Sequence, residues 1–291
     1  MKKLLLLTLL TLTGWGTLHA QMTYSPEDSV FVCRVLKEAK TAKATTTLFF
    51  ACKFLNRPYV AHTLEVNDDE RLVVNTRELD CTTFVENVLA LTLCARKGKT
   101  SFADFVYYLR QLRYRGGIID KYPSRLHYFS DWIIDNTQMK YVKEISAPNP
   151  PFTAVQTVDV HFMSKNPNLY KALRNHPEYV DVILGQEKLL AGHKYPYIPK
   201  SLLSKIKTSI LKKVVKDGDV IALTANQDGL DIAHLGFALW KSDGLHFLHA
   251  SSVHKKVEVE PVLFRTYMQK RTSTTGFRLV RLVAPNNLQT Q

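Results

Sequence analysis

This 291-residue chain is organised around one stretch, LDCTTFVENVL at residues 79–89. Its thiol, Cys81, stands where an apolar segment with helical spacing begins, because Phe84, Val88 and Leu91 recur three or four residues apart. Unpaired N–H groups at a helix start carry partial positive charge and favour a thiolate. The stretch predicts a cysteine nucleophile at the start of an apolar helix, with a buried structural cysteine as the alternative.

Residues 1–20 have the pattern of a secretory signal peptide. Lys2 and Lys3 precede an apolar run over residues 4–12, and the small residue Ala20 stands at the expected cut. The run is too short for a comfortable membrane anchor, and no later segment is long and apolar enough to span a bilayer. We expect an exported, periplasmic protein with no integral membrane segment after signal removal.

The composition indicates a sizeable core and a basic surface. Hydrophobic residues make up 45% of the chain, and the formal net charge is +13. A basic exported protein favours anionic polymers such as cell wall, lipopolysaccharide or nucleic acid. Each lysine-rich run, taken singly, is better explained as a solvated face, and we expect no nucleic-acid partner.

The four cysteines lie in the first third of the chain and do not have metal-site spacing. There is no CxxC pair and no cluster of histidine and cysteine at zinc spacing, so we expect no metal and no cofactor. Cys33, Cys52 and Cys94 fall inside apolar helical patterns and are interpreted as core residues. Export permits disulfides, so two of these three could be paired.

Helices are predicted first and strands later, which indicates an α+β fold. Ser25 caps a first helix, a second runs over residues 46–55, and Ser101 opens another that ends at residues 116–117. Glu86 is expected to complement the positive end of the Cys81 helix. Residues 143–200 are ambiguous because prolines interrupt them. Strands are predicted at residues 220–223, 234–240, 245–250, 257–259 and 277–283.

A hairpin turn at residues 241–244 brings two histidines to one face of this sheet. A loop of two or four residues puts Trp240 opposite Leu245, so Gly236 lies opposite His249. His234 and His249 are then diagonal neighbours, about 7–8 Å apart at the backbone. A cysteine nucleophile needs a base and a second polar group that orients it, and these histidines would supply both.

These motifs together resemble the NlpC/P60 papain-like cell-wall hydrolases. Residues 80–85, DCTTFV, look like the Asp-Cys-Ser-Gly-Leu-Val nucleophile segment, although Thr82-Thr83 replaces Ser-Gly. Residues 234–238, HLGFA, are similar to the strand that carries the catalytic histidine, and His249 falls at the third catalytic position. Residues 78–91 and 126–136 look more closely like the N-acetylmuramoyl-L-alanine amidase-like (DUF1460) branch.

The resemblance implies a papain-like fold in which helices, with the nucleophile at a helix start, pack on an antiparallel sheet. Residues 21–291 would form a single catalytic domain with an N-terminal helical extension and an insertion at about 115–210. We expect a monomer. Cys81 would attack an amide of peptidoglycan or a muropeptide fragment, His234 would transfer its proton, and His249 would orient His234.

The resemblance also implies substrate-binding residues, namely Tyr59 near the thiol and an aromatic run in the insertion that walls the cleft. For the aromatic run, a core helix is an equally good interpretation. The predicted substrate-binding residues are Tyr59, Arg125, His127, Tyr128, Ser130, Asp131 and Trp132.

Three functions remain open from the sequence. The first is an amidase that cleaves the bond between N-acetylmuramic acid and L-alanine. The second is a γ-D-glutamyl–diamino acid endopeptidase acting on the stem peptide. The third is a non-catalytic protein that binds the cell wall.

Overall fold

The computed structural model describes residues 22–283, and helices and an antiparallel sheet make up an α+β fold. The predicted signal peptide, residues 1–20, lies outside the described residues. The helices are α1 Pro26–Ala42, α2 Thr47–Cys52, α3 Cys81–Arg96, α4 Phe102–Arg113, α5 Phe129–Gln138, α6 Phe162–Lys165, α7 Lys171–Asn175, α8 Glu178–Leu190, α9 Thr208–Val214 and α10 Phe264–Gln269. Short 3₁₀ turns lie at Arg115–Gly117, Tyr122–Ser124, Pro167–Leu169 and Lys200–Leu202.

The strands are β1 Met22–Tyr24, β2 Leu72–Val74, β3 Val142–Ile145, β4 Ala154–Thr157, β5 Lys194–Pro199, β6 Val220–Ala225, β7 Ile232–Lys241, β8 Gly244–Ser251, β9 Lys256–Val259 and β10 Thr274–Leu282. Strands β1 and β2 pair in parallel. The main sheet has the order β4-β5-β10-β6-β7-β8-β9, and β3 also pairs with β10. Every pairing in it is antiparallel.

The N-terminal helices form where the sequence predicts them. Ser25 caps α1, with its hydroxyl accepting from the backbone of Glu27 and its own N–H bonded to Asp28. Helix α2 is shorter than the predicted residues 46–55 because it ends at Cys52. Ser101 caps α4, which ends at Arg113, a little before the predicted glycine pair.

Helix α3 lies at the centre of the larger hydrophobic cluster. Twelve of its residues are buried, and the ring of Phe84 meets those of Phe54 and Phe237 edge-on, at centroid distances of 6.0 and 5.4 Å. Because Phe237 belongs to β7, this packing fixes the start of α3 against the strand that carries His234. The sheet thereby holds the predicted nucleophile and base on adjoining elements.

The predicted hairpin register is confirmed. Strands β7 and β8 pair with Trp240 opposite Leu245 and Lys241 opposite Gly244, which leaves a two-residue loop, Ser242 and Asp243. The pairing continues to Phe237 opposite Leu248, so one further step places Gly236 beside His249. The five predicted strands are all present, and their ends differ from the predicted ones by at most three residues.

The ambiguous part of the sequence contributes three strands and its own small core. Strands β3, β4 and β5 extend the sheet beside β10, which the proline-interrupted pattern did not predict. Residues 115–210 also contain a separate apolar cluster, so this segment has a core of its own. The buried members of this cluster are Tyr122, Tyr128, Val158, Val160, Met163, Leu173, Ile183 and Leu190.

The cysteines depart in part from the predicted pattern. All four are free, so no pair among them forms a disulfide in this structure. Cys94 is buried as expected and Cys33 is partly exposed, but Cys52 is exposed because it lies at the last turn of α2. Among the helices at residues 22–283, none is long and apolar enough to cross a membrane.

Candidate active site

Cys81 is the first residue of α3, and the residue before it holds the helix start in place. The carboxylate of Asp80 accepts hydrogen bonds from the backbone N–H of Thr83 at 2.7 Å and from its hydroxyl at 2.8 Å. The backbone N–H of Asp80 donates to the Thr83 hydroxyl at 2.9 Å. This reciprocal cap satisfies two unpaired donors and presents the thiol at a defined position.

Glu86 has a different role from the predicted one. It lies fully inside the core, where its carboxylate accepts a 2.6 Å hydrogen bond from Arg113 of α4. Arg113 also donates to the backbone oxygen of Val73 at 2.6 Å. The prediction that Glu86 complements the helix start is therefore wrong. Glu86 forms an ion pair between two helices instead, and Asp80 supplies the cap.

The resting thiol of Cys81 is protonated. Burial, followed by the neighbouring Asp80 carboxylate, raises its pKa to about 12. Hydrogen bonds from the backbone N–H of Leu235, from Thr82 and from its own backbone act in the opposite direction but do not outweigh these effects. The helix start therefore does not by itself generate the expected thiolate, and a nucleophile at this position would need a base to remove its proton.

The two predicted histidines are joined directly. Nε2 of His234 lies 2.7 Å from Nδ1 of His249, with the ring planes nearly perpendicular. Burial, then His249 and Arg271, holds the pKa of His234 well below the imidazole value of 6.5. His234 is therefore neutral and able to accept a proton, and its sequence neighbour Leu235 donates to the Cys81 sulfur.

The ring of His249 is clamped by its surroundings. It stacks on Phe247 at a centroid distance of 4.7 Å and meets Tyr267 edge-on at 5.4 Å. A Cβ atom on Gly236 would come within 2.7 Å of the His249 Cβ and 2.6 Å of the Phe247 ring. Glycine is therefore needed at this point because any side chain would displace the ring that contacts His234.

An acidic pair lies on the far side of His249. Its Nε2 atom is 3.4 Å from Oε2 of Glu260 but lacks a well-aligned hydrogen bond. Burial lowers the pKa of His249, although Glu260 opposes this, and the same contact lowers the pKa of Glu260. Ligand atoms of His249, Glu258 and Glu260 lie within 4.8 Å of one another. The sequence did not predict this cluster.

Tyr59 lies beside the thiol, as its predicted role requires. It is partly exposed, and burial, then Cys81 and Asp80, raises its pKa to about 12. Its backbone N–H donates to the carbonyl of Lys255 at 2.9 Å, which ties it to the turn between β8 and β9. The hydroxyl is therefore protonated and available as a hydrogen-bond donor near Cys81.

A groove of about 570 Å³ opens on the Glu260 side of the histidine pair. Tyr267 and Arg271 line it. Arg271 contributes to the lowered pKa of His234, and Cys81 contributes to the raised pKa of Tyr267. The guanidinium of Arg271 lies over the Tyr267 ring at 4.3 Å. Within residues 22–283 it has no carboxylate within ion-pair distance. The other lining residues are Ser251, Val253, His254, Glu260, Pro261, Val262, Lys270, Thr272 and Ser273.

Arg125 and His127 of the insertion are held by internal contacts. Arg125 is 5% exposed and pairs with Glu65 at 2.5 Å and Glu70 at 3.8 Å. His127 bonds the backbone oxygen of Tyr122 at 3.0 Å, and burial, then Arg125, lowers its pKa to about 3. Both side chains therefore have partners within the protein that position the insertion. Their contact with substrate stays a prediction.

The remaining insertion residues lie at or near the start of α5 and favour the core-helix interpretation. Trp132 is fully buried and stacks on Phe129 at 4.8 Å. The other three are buried and engaged in hydrogen bonds that join separate elements. Tyr128 donates to Glu187 at 2.7 Å, Ser130 accepts from Arg278 at 2.7 Å, and Asp131 accepts twice from Arg115, at 3.0 and 2.5 Å.

Several residues of the site escaped sequence reasoning. Asp80 could have been found, since an acid immediately before a helix and a threonine three residues later form a capping pattern. Glu260, Tyr267 and Arg271 carry no local signal. They reach the histidine pair only because β9, α10 and the following turn fold against β8.

Comparison with known proteins shows the family of the chain. Residues 50–276 match the family model described as AmiA-like, N-acetylmuramoyl-L-alanine amidase-like. The chain belongs to this amidase-like family. Because the match spans most of the chain, it includes Cys81, His234 and His249 together with the insertion. Among proteins with curated descriptions, none matches the chain.

Solved structures similar to this amidase-like chain share its fold. An N-acetylmuramoyl-L-alanine amidase from Bacteroides uniformis is 40% identical, with a TM-score of 0.75 over 81% of this chain and 97% of that one. A Bacteroides fragilis protein named provisionally as a xylanase is 41% identical, with a TM-score of 0.74 over 80% and 99%. A DUF1460 protein from Legionella pneumophila, 22% identical, has a TM-score of 0.66 over 92% and 96% and supports the fold alone.

Proposed function

We propose that this protein is an exported, periplasmic cysteine amidase of papain-like type that cleaves the N-acetylmuramoyl–L-alanine bond of peptidoglycan or its fragments. One observation carries the proposal. The 2.7 Å contact between His234 and His249 lies on the strands against which the Cys81 helix packs. A thiol, a neutral base and a group that orients the base are the parts that acyl transfer needs. Family membership supplies the substrate class.

The reaction begins with transfer of the thiol proton from Cys81 to His234. The thiolate attacks the carbonyl carbon of the amide, and the tetrahedral oxyanion is stabilised by backbone N–H groups at the start of α3 and by the hydroxyl of Tyr59. Protonated His234 then donates its proton to the amine of L-alanine, which leaves with the stem peptide. Water, deprotonated by His234, cleaves the remaining muramoyl thioester and regenerates the thiol.

The groove beside the histidines fits an acidic substrate. Stem peptides carry carboxylates, and Arg271 presents a guanidinium without an ion-pair partner in the described part of the chain. Lys270 adds a second cation on the same wall. A planar guanidinium binds a carboxylate with two parallel hydrogen bonds, so Arg271 would anchor the peptide while Cys81 faces the amide.

The site chemistry disfavours glycoside hydrolysis, despite the xylanase name of one structural neighbour. A typical glycosidase places two carboxyl groups on either side of the scissile bond. Here Glu258 and Glu260 lie together on one side of His249, and His234 contacts the other ring nitrogen of His249. This arrangement suits attack on an amide.

Digestion of defined muropeptides, analysed by mass spectrometry, tests the proposal. The wild type should release free N-acetylmuramic sugar and an intact peptide beginning with L-alanine, and Cys81→Ala should release neither. Cys52→Ala is the matched control because it removes an exposed thiol outside the site, and it should keep full activity. Cleavage after D-glutamate would indicate the endopeptidase instead, and binding to wall material without products would indicate a non-catalytic protein.

A further inference from the structure

The histidine pair can hold its shared proton in two ways, and only one of them supports catalysis. If Nε2 of His234 carries the proton, Nδ1 of His234 keeps a lone pair that can accept the Cys81 proton. If instead Nδ1 of His249 carries it, neutral His234 must be protonated on Nδ1 and cannot act as a base. The 2.7 Å contact is compatible with both arrangements.

The two arrangements differ at the other nitrogen of His249. In the productive one, Nε2 of His249 carries a proton and needs an acceptor. In the unproductive one, Nε2 presents a lone pair. This atom is completely buried, and the acceptor facing it is Oε2 of Glu260 at 3.4 Å. An ionised carboxylate can accept a hydrogen bond but cannot donate one.

We propose that Glu260 is a positioning residue that sets the tautomers of His249 and His234, so that the base facing Cys81 is unprotonated. The inference rests on the proposed role of His234 as the base. A carboxylate opposite Nε2 favours the N–H form there and repels the lone pair of the other form. A proton on Nε2 leaves Nδ1 of His249 as an acceptor, which in turn places the proton on Nε2 of His234.

Two contacts of its backbone hold Glu260 in position. Its N–H donates to the carbonyl of Phe247 at 2.8 Å, and its carbonyl lies 3.0 Å from Nδ1 of His246. Its side chain is 8% exposed. Glu258, by contrast, sits opposite His249 in the strand register but pairs with His254 at the rim. The two carboxylates therefore have different partners although they are two residues apart.

The first measurement is the tautomeric state of both histidines by long-range ¹H–¹⁵N NMR in the Cys81→Ala protein. We expect a protonated Nε2 and a bare Nδ1 on each ring. In the Cys81→Ala protein carrying Glu260→Gln, an amide that can accept or donate replaces the carboxylate, and we expect a mixture of tautomers. A bare Nε2 on His249 with Glu260 intact would overturn the proposal, even if the glutamine variant failed to fold.

The second measurement is the rate on one muropeptide. Glu260→Gln should lower kcat at least about tenfold with little change in KM, because fewer molecules carry the competent base. Glu178→Gln removes the same charge from an exposed pair with His176, outside the groove, and should stay within about twofold of the wild type. Unchanged tautomers and rate in Glu260→Gln would refute the role. Correct tautomers in a protein that fails to cleave muropeptides would refute the proposed function while leaving the inference intact.

Discussion

Replacing Asp80 by asparagine should make Cys81 more reactive without weakening the fold. The carboxylate of Asp80 raises the pKa of the adjacent thiol, while its oxygen caps α3 through Thr83. Asparagine caps a helix about as well as aspartate does, so this change separates the charge from the hydrogen bond. Alanine at the same position removes both and serves as the matched comparison.

The expected changes in thiol reactivity and in stability follow from the charge of Asp80 and from its capping hydrogen bond. Loss of one neighbouring negative charge should lower the thiol pKa by about one unit, which raises the thiolate fraction about tenfold at any pH well below 12. A less basic thiolate is also about threefold less nucleophilic. The net gain in alkylation rate is therefore about threefold for both variants, whereas only alanine should lose about 1 kcal/mol of unfolding free energy.

The assay follows alkylation of the Cys81 peptide by iodoacetamide with mass spectrometry, because exposed Cys52 reacts as well. Urea unfolding of the same proteins gives the stability. An unchanged or slower rate in both variants would show that Asp80 does not restrain the thiol. Equal destabilisation by asparagine and alanine would show that the reciprocal cap does not account for the start of α3.

Four further outcomes are expected. In single-turnover experiments, His234→Ala should be nearly inactive while His249→Asn keeps partial activity, because an amide can still bond an imidazole; equal loss would contradict these roles. Burial lowers the pKa of both histidines, so in a plot of kcat/KM against pH the fall on the acid side should lie below pH 6.5. Because the folded protein favours the neutral histidines, their contribution to the free energy of unfolding is present above pH 6.5 and should be lost as the pH falls below it. Urea unfolding at a series of pH values will measure this loss. Arg113→Ala should cost about 3–5 kcal/mol in urea unfolding, since it leaves the carboxyl group of Glu86 in the core without its partner; a loss under about 1 kcal/mol would contradict this. Activity should survive a chelator and be abolished by a thiol alkylator, whereas loss with chelator and recovery with zinc would point to a metal enzyme.

The histidine register was predictable because it depends on short-range geometry. A two-residue turn determines which residues oppose each other, and the two-residue period of a strand then determines the face. Trp240 opposite Leu245 is enough to bring His234 and His249 together, and the structure has that register. The start of the Cys81 helix was predictable for a similar reason, since apolar spacing and a cap act within a few residues.

The protonation state of the thiol depended on its tertiary surroundings. At the level of sequence, a helix start favours a thiolate, but burial by the packed sheet has the larger effect and raises the pKa. Burial also changed the interpretation of the insertion. Its aromatic and polar residues have a composition typical of a cleft, yet Trp132 is completely enclosed and Ser130 bonds Arg278 from a strand far along the chain.

The sequence by itself determined the α+β order of elements, the helix that begins at Cys81 and the shared face of the two histidines, because each depends on periodicity or on a tight turn. Only the tertiary structure decided which groups surround them. Glu260 and Arg271 reach the site through long-range packing of β9, α10 and the following turn on β8, and Glu86 turned from a predicted helix-end complement into a buried partner of Arg113. Contacts between segments distant in the chain leave no local pattern, so the periodicity of the sequence could not predict them.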